Sequence, residues 1–187
     1  MGSIIGLFFL GNIITNGTLN ISMFPAQTAV DDAKQETPNA SPFEEQEILW
    51  LARGVYSETK NEEEMRLIAW VIRNRVETKY RGTTYQEVLT SEKQFSGLHT
   101  SSPEYKNNLS LGYDDMKNKD WRMALSVAKE VYTADESLRP FPKTVRHFFS
   151  PALIDATPEW ARKESPYQNI AYMEITKPNF IFYNAIQ

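Results

Sequence analysis

Glu58 is the residue of this chain whose position most favours acid–base chemistry. It lies three residues after Val55 and seven after Leu51, at the edge of an apolar helical stripe. A carboxyl group that is partly removed from water has a raised pKa, and the negative end of a helix raises it further. A glutamate that stays protonated near neutral pH can act as a general acid. The alternative is an ordinary helix-ending glutamate whose head lies in solvent.

Two amphipathic helices within residues 45–76 are predicted to place Glu58 at their junction. The first has apolar residues at helical spacing, namely Ile48, Leu51, Ala52 and Val55. Asn61, with Glu64 three residues later, is a capping signal that predicts the start of the second helix. Its buried face is expected to carry Ile68, Val71, Ile72 and Val76. Two tryptophans of these helices, Trp50 and Trp70, are predicted to belong to the core.

The rest of the chain predicts a mostly helical α+β fold with a small sheet towards its C-terminus. Further helices are expected over 84–89, 120–131 and, as a single turn, 158–162. Residues 91–118 lack periodicity and are interpreted as a long loop, which in a compact domain is often functional. An aromatic β-like segment is predicted over 145–149. Two strands are also predicted, 170–175 and 179–183, joined by a turn at 177–179.

The N-terminal segment differs in composition from the rest of the chain. The first charged residue is Asp31, and the apolar run at 4–10 is too short to span a bilayer. Residues 1–29 are therefore interpreted as an export signal or hydrophobic N-terminal segment, with 26–29 as the processing region. The alternative is a core helix of the domain.

The export interpretation leaves a linker and one folded domain. Residues 30–41 are polar and are interpreted as a linker. Residues 42–187 are then the folded domain, and Pro42 suits a helix start. A chain of 187 residues is long enough for one domain with a sizeable core.

Composition excludes several kinds of site. The net charge of −4 provides no basic field for nucleic acid or anionic lipid. The absence of cysteine excludes thiol catalysis, thiolate metal sites and disulfides. The two histidines, His99 and His147, are far apart in sequence, which argues against a zinc site. We therefore expect no metal, no cofactor, no nucleic-acid partner, no stable membrane span and a monomer.

Three motifs in order resemble the SleB-like cell-wall hydrolases, the family of spore-cortex-lytic enzymes. In the two-helix segment the matching positions are Tyr56, Glu58, Asn74, Arg75 and Val76. Residues 94–96 (QFS) resemble the family's Gln-Phe-Ser, and 147–151 (HFFSP) stand where the family has an aromatic run ending in Asn-Pro. Thr59 and Lys60 replace the family's Ala-Arg, and Ser150 replaces its Asn.

The resemblance implies a lysozyme-like single domain that acts on the MurNAc–GlcNAc backbone of peptidoglycan, with Glu58 as the catalytic residue. The residues it implies as substrate contacts are Tyr56, Gln94, Phe95, Ser96, His147, Phe149, Ser150 and Trp160. Sugar rings stack on aromatic side chains, and Tyr167 is a further candidate for such a contact. An exported location follows, in periplasm, cell wall or spore cortex; a spore former, a bacterium remodelling its own wall and a phage all remain open as its source.

The mechanism has two alternatives at this stage. A lytic transglycosylase needs one glutamate, acting first as acid and then as base, because the muramyl 6-hydroxyl attacks the anomeric carbon. A hydrolytic muramidase usually needs a second carboxylate. The other acids considered, Glu77, Asp114, Asp115 and Glu164, are interpreted as solvated surface residues, so the single-acid mechanism is favoured.

Two further function classes were weighed. A wall-binding or assembly protein with little activity is supported only by the departures at Thr59 and Ser150. A peptidase is disfavoured because the chain lacks a metal cluster, a cysteine and a Gly-x-Ser-x-Gly elbow. His147 is interpreted as a hydrogen-bonded strand histidine that contacts substrate if it has a role at all.

Overall fold

The computed structural model describes residues 40–92, 94–152, 156–170 and 179–184. The chain divides after Thr37, and every described residue belongs to the second unit, Pro38–Gln187. The predicted export signal and nearly all of the predicted linker lie outside the described residues, so the domain boundaries stay predictions. No helix in the described ranges is long and apolar enough to cross a bilayer.

Helices dominate the described part of the chain, which confirms the predicted α+β, mostly helical class. The α-helices are α1 Pro42–Glu58, α2 Glu62–Glu77, α3 Tyr85–Thr90, α4 Tyr105–Ser110, α5 Lys119–Thr133 and α6 Glu159–Arg162. Two 3-10 turns lie at Ser96–Leu98 and Glu136–Leu138. The strands β1 Val145–Phe149 and β2 Ile181–Asn184 form an antiparallel pair.

The segment predicted as a continuous loop over 91–118 contains α4 and a 3-10 turn, so that prediction was wrong in part. Helix α4 is only six residues long and buries only Asn108. A helix without an apolar face gives no periodic signal in the sequence. Asn108 holds it in place by donating from Nδ2 to the carbonyl oxygen of Gly97 (2.9 Å).

Side-chain caps fix the start of both helices that flank Glu58. Ser41 and Glu44 form a capping box at the start of α1, which has Pro42 in its first turn. Asn61 accepts from the backbone N–H of Glu64 (3.1 Å) and caps α2, as its position predicted. The joint between the helices is three residues long, and α1 ends at Glu58 because the backbone of Thr59 is extended.

The core lies between α1, α2 and α5. Trp121 of α5 is fully buried, and its indole Nε1 donates to the carbonyl oxygen of Gly112 (2.8 Å), so its polar end is satisfied. Trp50 and Trp70 are buried too, which confirms that they belong to the core. The predicted faces of α1 and α2 are confirmed except at one position: Leu51, Val55, Ile68, Val71 and Ile72 have no exposed surface, whereas Val76 is only partly buried.

Gly54 allows α3 to approach α1 closely. A Cβ at this position would lie 2.6 Å from Cδ2 of Leu89 and 3.3 Å from Cδ1 of Ile72, and both side chains are fully buried. Alanine favours a helix by about 0.5–1 kcal/mol, but overpacking a filled core costs about 1–3 kcal/mol. We expect Gly54→Ala to lower the free energy of unfolding by about 1 kcal/mol, measured by urea denaturation.

Gly112 supplies the matched control for this substitution. A Cβ there would meet only Oδ2 of Asp115, at 3.7 Å. Gly112→Ala should therefore leave stability within about 0.5 kcal/mol of the wild type. Equal stability of Gly54→Ala and the wild type would contradict the close packing of α1 and α3.

The small sheet is attached to the end of α2. Asn74 donates from Nδ2 to the carbonyl oxygen of Val145 (2.8 Å), and Arg75 donates from Nε to that of Arg146 (2.7 Å). The register breaks between Val145 and His147, so Arg146 is the extra residue of a β-bulge. The predicted strand over 145–149 is confirmed. The one predicted over 170–175 lies almost wholly outside the described residues.

Candidate active site

Glu58 is the last residue of α1 and is partly buried. Burial raises the pKa of its carboxyl group to about 7, against the opposing effects of Arg75 and Lys60. Its carboxyl group makes no hydrogen bond or ion pair within the part of the chain that the structure describes. A carboxyl group in this state is protonated at mildly acid pH and loses its proton near neutrality, as a general acid must.

Two cations from different directions keep the pKa of Glu58 from rising further. Arg75 comes from α2 and is 4% exposed, and burial lowers its own pKa to about 10. Lys60 lies in the joint after α1, where its ammonium group donates to the carbonyl oxygen of Tyr56 and lies 3.6 Å from that ring's centroid. Burial also lowers the pKa of Lys60. Lys60 follows Glu58 by two residues, but its position after the helix end gave no signal of this role.

Arg75 also connects Glu58 to the QFS segment. Its Nη1 donates to Oε1 of Gln94 (3.0 Å), so Gln94 is held by the same cation that acts on Glu58. Gly97, which directly follows this segment, lies close to the end of α1. A Cβ atom added to Gly97 would lie only 3.0 Å from Cβ of Ser57. The structure therefore brings Gln94 close to the end of the helix that carries Glu58.

A groove of about 470 Å³ lies beside this segment, within the size range of small-molecule sites. The residues that line it are Glu92, Gln94, Ser96, His99, Ser101, Ser102 and Pro103. Ser96 is exposed. Glu58 is not among the lining residues, so the groove adjoins the proposed catalytic residue rather than containing it.

Two of the predicted substrate contacts are buried and need correction. Phe95 is 1% exposed, with its ring 6.1 Å from that of Phe148. Ser150 is 6% exposed. Neither side chain has a surface that a sugar could contact in this structure, so we remove both from the proposed set. A three-residue motif gives residue types but not the direction in which each side chain points.

Three other predicted contacts come together on the sheet. The ring centroid of Trp160 lies 5.5 Å from that of His147, 5.8 Å from that of Phe149 and 5.3 Å from that of Tyr183. Trp160, His147 and Phe149 are partly buried, whereas Tyr183 is buried. This aromatic cluster has partly open faces on which a sugar ring can stack.

The other two aromatic candidates make different ring contacts. Tyr56 has its ring edge-on to Trp121 (5.6 Å) and accepts at its hydroxyl oxygen from Nδ2 of Asn118 (2.9 Å). It belongs to the Glu58 side of the site through Lys60. Tyr167 packs against Phe141, with ring centroids 6.5 Å apart.

His147 is neutral at physiological pH. Burial lowers its pKa to about 4, and the charges of Arg75, Arg146 and Arg81 act in the same direction. Its Nε2 lies 3.0 Å from the hydroxyl oxygen of Tyr80. A neutral histidine cannot supply a proton as imidazolium, which leaves a structural or substrate-contact role.

Glu77 is exposed, as the sequence suggested, but its carboxylate is held by three cations. Its carboxylate contacts Arg73 (2.7 Å), Arg139 (2.7 Å) and Lys143 (3.2 Å), and the three cations lower its pKa against the effect of burial. The sequence signal was the spacing of Arg73 and Glu77, four residues apart on one helix. Asp114, Asp115 and Glu164 are exposed, as predicted.

Within the described residues no acid forms a hydrogen bond with Glu58, and the charged groups that act on its pKa are two cations, Arg75 and Lys60. Two acids of the described chain, Asp120 and Glu104, act together with Glu58 on Lys60. Glu64 is buried, but it accepts from Oγ1 of Thr59 and the backbone N–H of Asn179 (both 2.7 Å). Its carboxylate therefore links the start of α2 to the joint and to the segment before β2. The described ranges also contain no cluster of acids and histidines suited to a metal ion. Asp155 and Glu174 lie outside those ranges.

Comparison with known proteins identifies a family. The family model described as Cell Wall Hydrolase matches residues 59–181, which is more than half of the chain. The matched segment begins one residue after Glu58. It contains the QFS segment, the whole of β1 and the first residue of β2. No curated protein and no solved structure matches the chain.

Proposed function

Because the chain belongs to the Cell Wall Hydrolase family, as its resemblance to the SleB-like enzymes suggested, we propose that it cleaves the glycan strands of peptidoglycan. The bond attacked is the MurNAc–GlcNAc linkage, and Glu58 acts first as acid and then as base. The observation that carries this proposal is the carboxyl group of Glu58 at the end of α1, with a pKa of about 7.

The reaction proceeds in two proton transfers. Protonated Glu58 donates its proton to the glycosidic oxygen as the bond between that oxygen and the anomeric carbon breaks. The 6-hydroxyl of the same muramyl residue then attacks the anomeric carbon, and the Glu58 carboxylate takes the hydroxyl proton. The strand ends in a 1,6-anhydro sugar, and Glu58 is protonated again. Water is not consumed.

The environment of Glu58 supports this single-acid route over a hydrolytic muramidase. Retaining glycosidases place two carboxyl groups about 5–5.5 Å apart, and inverting ones about 6.5–9.5 Å apart. A carboxylate at the shorter distance would raise the pKa of Glu58 further, and the charged groups of the described residues that act on this pKa are the cations Arg75 and Lys60. Hydrolysis, in which water replaces the 6-hydroxyl, is the alternative.

The departures at Thr59 and Ser150 do not favour a wall-binding protein without activity. Ser150 is buried, so its replacement of Asn does not remove a surface contact. Thr59 donates from Oγ1 to Glu64 and accepts from the backbone N–H of Asn61 (3.1 Å), so it stabilises the joint after Glu58. Cleavage therefore remains the proposed function. An exported location, where the wall is accessible, belongs to the same proposal.

The test is digestion of purified sacculi by the full chain. We expect the turbidity of the suspension to fall and soluble muropeptides to appear in the supernatant. Sacculi that bind the protein but release no muropeptide would contradict the proposed function and favour the wall-binding alternative.

A further inference from the structure

Tyr80 lies at a point where the backbone is unusual on two sides. Its neighbours Lys79 and Arg81 have left-handed conformations, with φ of 55° and 68°, although neither is glycine. Such conformations are uncommon outside glycine and are concentrated at functional sites. Across from them, the bulge at Arg146 interrupts β1. Both segments that surround this tyrosine therefore have irregular backbone conformations.

The bulge makes two consecutive residues contact Tyr80. In a regular strand the side chains of Arg146 and His147 would point to opposite faces. Here the guanidinium carbon of Arg146 lies 4.4 Å from the Tyr80 ring centroid, and Nε2 of His147 lies 3.0 Å from its hydroxyl oxygen. An extra residue in the strand redirects a side chain in this way. The result is to bring the guanidinium group of Arg146 over the Tyr80 ring, in addition to Arg75 and Arg81.

Three arginines surround this ring. The guanidinium carbons of Arg146, Arg81 and Arg75 lie 4.4, 5.3 and 6.0 Å from the Tyr80 ring centroid. Within the described residues none of the three forms an ion pair. By contrast, the arginines that do form ion pairs are Arg66, Arg73 and Arg139. Clustered like charges repel one another, and a bound anion would relieve that repulsion.

The cluster is accessible and adjoins the proposed catalytic residue. Arg81 is exposed and Arg146 is partly buried, whereas Arg75 is buried and connects the cluster to Glu58. Among the described residues, the Arg146 side chain donates one hydrogen bond, from Nη1 to Oγ1 of Thr78 (3.2 Å), which leaves its other Nη donors for a ligand. Guanidinium groups match carboxylates in geometry and bind them by paired hydrogen bonds.

We propose that Arg81 and Arg146, held around Tyr80, form an anion subsite that binds a carboxylate of the stem peptide on the strand being cleaved. The subsite deepens the proposed function and rests on it. An N-acetylated glycan carries no charge of its own, so the anionic groups of a peptide-bearing strand are the carboxylates of its peptides. Removal of the peptide exposes one other carboxylate, that of the lactyl group, which lies closer to the sugar ring.

The test measures binding apart from catalysis. The full chain carrying Glu58→Gln is titrated calorimetrically with soluble glycan strands that bear stem peptides, and with strands from which an amidase has removed the peptides. The double substitution Arg81→Gln and Arg146→Gln is then added. Loss of two charge-assisted contacts should weaken binding of the peptide-bearing strands by about tenfold or more. Binding of the peptide-free strands should change by less than about twofold.

Two controls accompany the double variant. Arg122→Gln removes an exposed arginine of α5 and should leave both affinities unchanged. Arg81→Gln alone removes an exposed side chain, so this variant should fold normally. It should still weaken binding of the peptide-bearing strands severalfold. Unchanged affinity for those strands would overturn the subsite. Equal weakening for both kinds of strand would overturn the stem peptide as the source of the carboxylate.

Failure of the subsite and failure of the proposed function give different results. If the wild type releases no muropeptides from sacculi, the proposed function fails whatever the arginine variants bind. If the wild type cleaves both kinds of strand and the double variant binds them as tightly as before, only the subsite fails.

Discussion

Replacing Glu58 with glutamine should lower the rate of peptidoglycan cleavage by about a hundred- to ten-thousand-fold. Glutamine keeps the size and polarity of the side chain but cannot deliver a proton to the glycosidic oxygen. Because the carboxyl group makes no described hydrogen bond or ion pair, the substitution should leave the fold intact. The measurement is the initial rate of muropeptide release from sacculi, with circular dichroism as the check on folding.

The other acids provide controls that separate catalysis from stability. Glu164→Gln and Asp114→Asn change exposed residues and should retain most activity. Glu77→Gln should instead lower stability, because it removes a carboxylate that contacts three cations. Wild-type turnover by Glu58→Gln would refute the assignment. If Glu164→Gln or Asp114→Asn proved as damaging, the enzyme would use a pair of carboxylates.

Activity should fall steeply above about pH 7, the second large effect that we expect. Glu58 has to be protonated to act as an acid, and burial raises its pKa to about 7. Each pH unit above that value lowers the protonated fraction tenfold, so kcat/KM should be about a hundredfold lower at pH 9 than at its maximum. The measurement is kcat/KM on soluble glycan strands between pH 5 and 9. A profile that stays flat to pH 9 would contradict a pKa near neutrality.

The raised pKa of Glu58 should also make the stability of the fold depend on pH, so that the free energy of unfolding falls as the pH rises. Between the ordinary glutamate pKa of about 4.5 and the folded value of about 7, the folded state binds more protons than the unfolded state. The contribution of Glu58 to the free energy of unfolding is therefore fully present below pH 4.5 and is lost as the pH rises through about 7. Glu58→Gln lacks this group, so its stability relative to the wild type should improve across that range. Urea denaturation at pH 4.5 and pH 8 measures the difference.

The position of Glu58 was predictable because local rules determine it. The apolar face of α1, the Asn61 cap and the short joint leave the glutamate at a helix end beside the core, and all three are readable from spacing. Its raised pKa follows from the same placement. The mostly helical class and β1 follow from periodicity and composition in the same way.

The features that could not be predicted from the sequence depend on contacts between distant segments. Arg75 reaches Gln94 and Arg146, 19 and 71 residues away in sequence, and no local pattern shows that one side chain connects them. The burial of Phe95 and the bulge at Arg146 depend equally on how the loop and sheet pack on α2. These contacts arise only when the tertiary structure forms.

The most direct test of the single-acid mechanism is digestion of sacculi in water enriched in ¹⁸O, followed by mass spectrometry of the muropeptides. If the muramyl 6-hydroxyl attacks the anomeric carbon, the products carry 1,6-anhydro ends and incorporate no ¹⁸O. If water attacks instead, each new reducing end gains one ¹⁸O atom. We predict anhydro products without label, and labelled reducing ends would contradict the account.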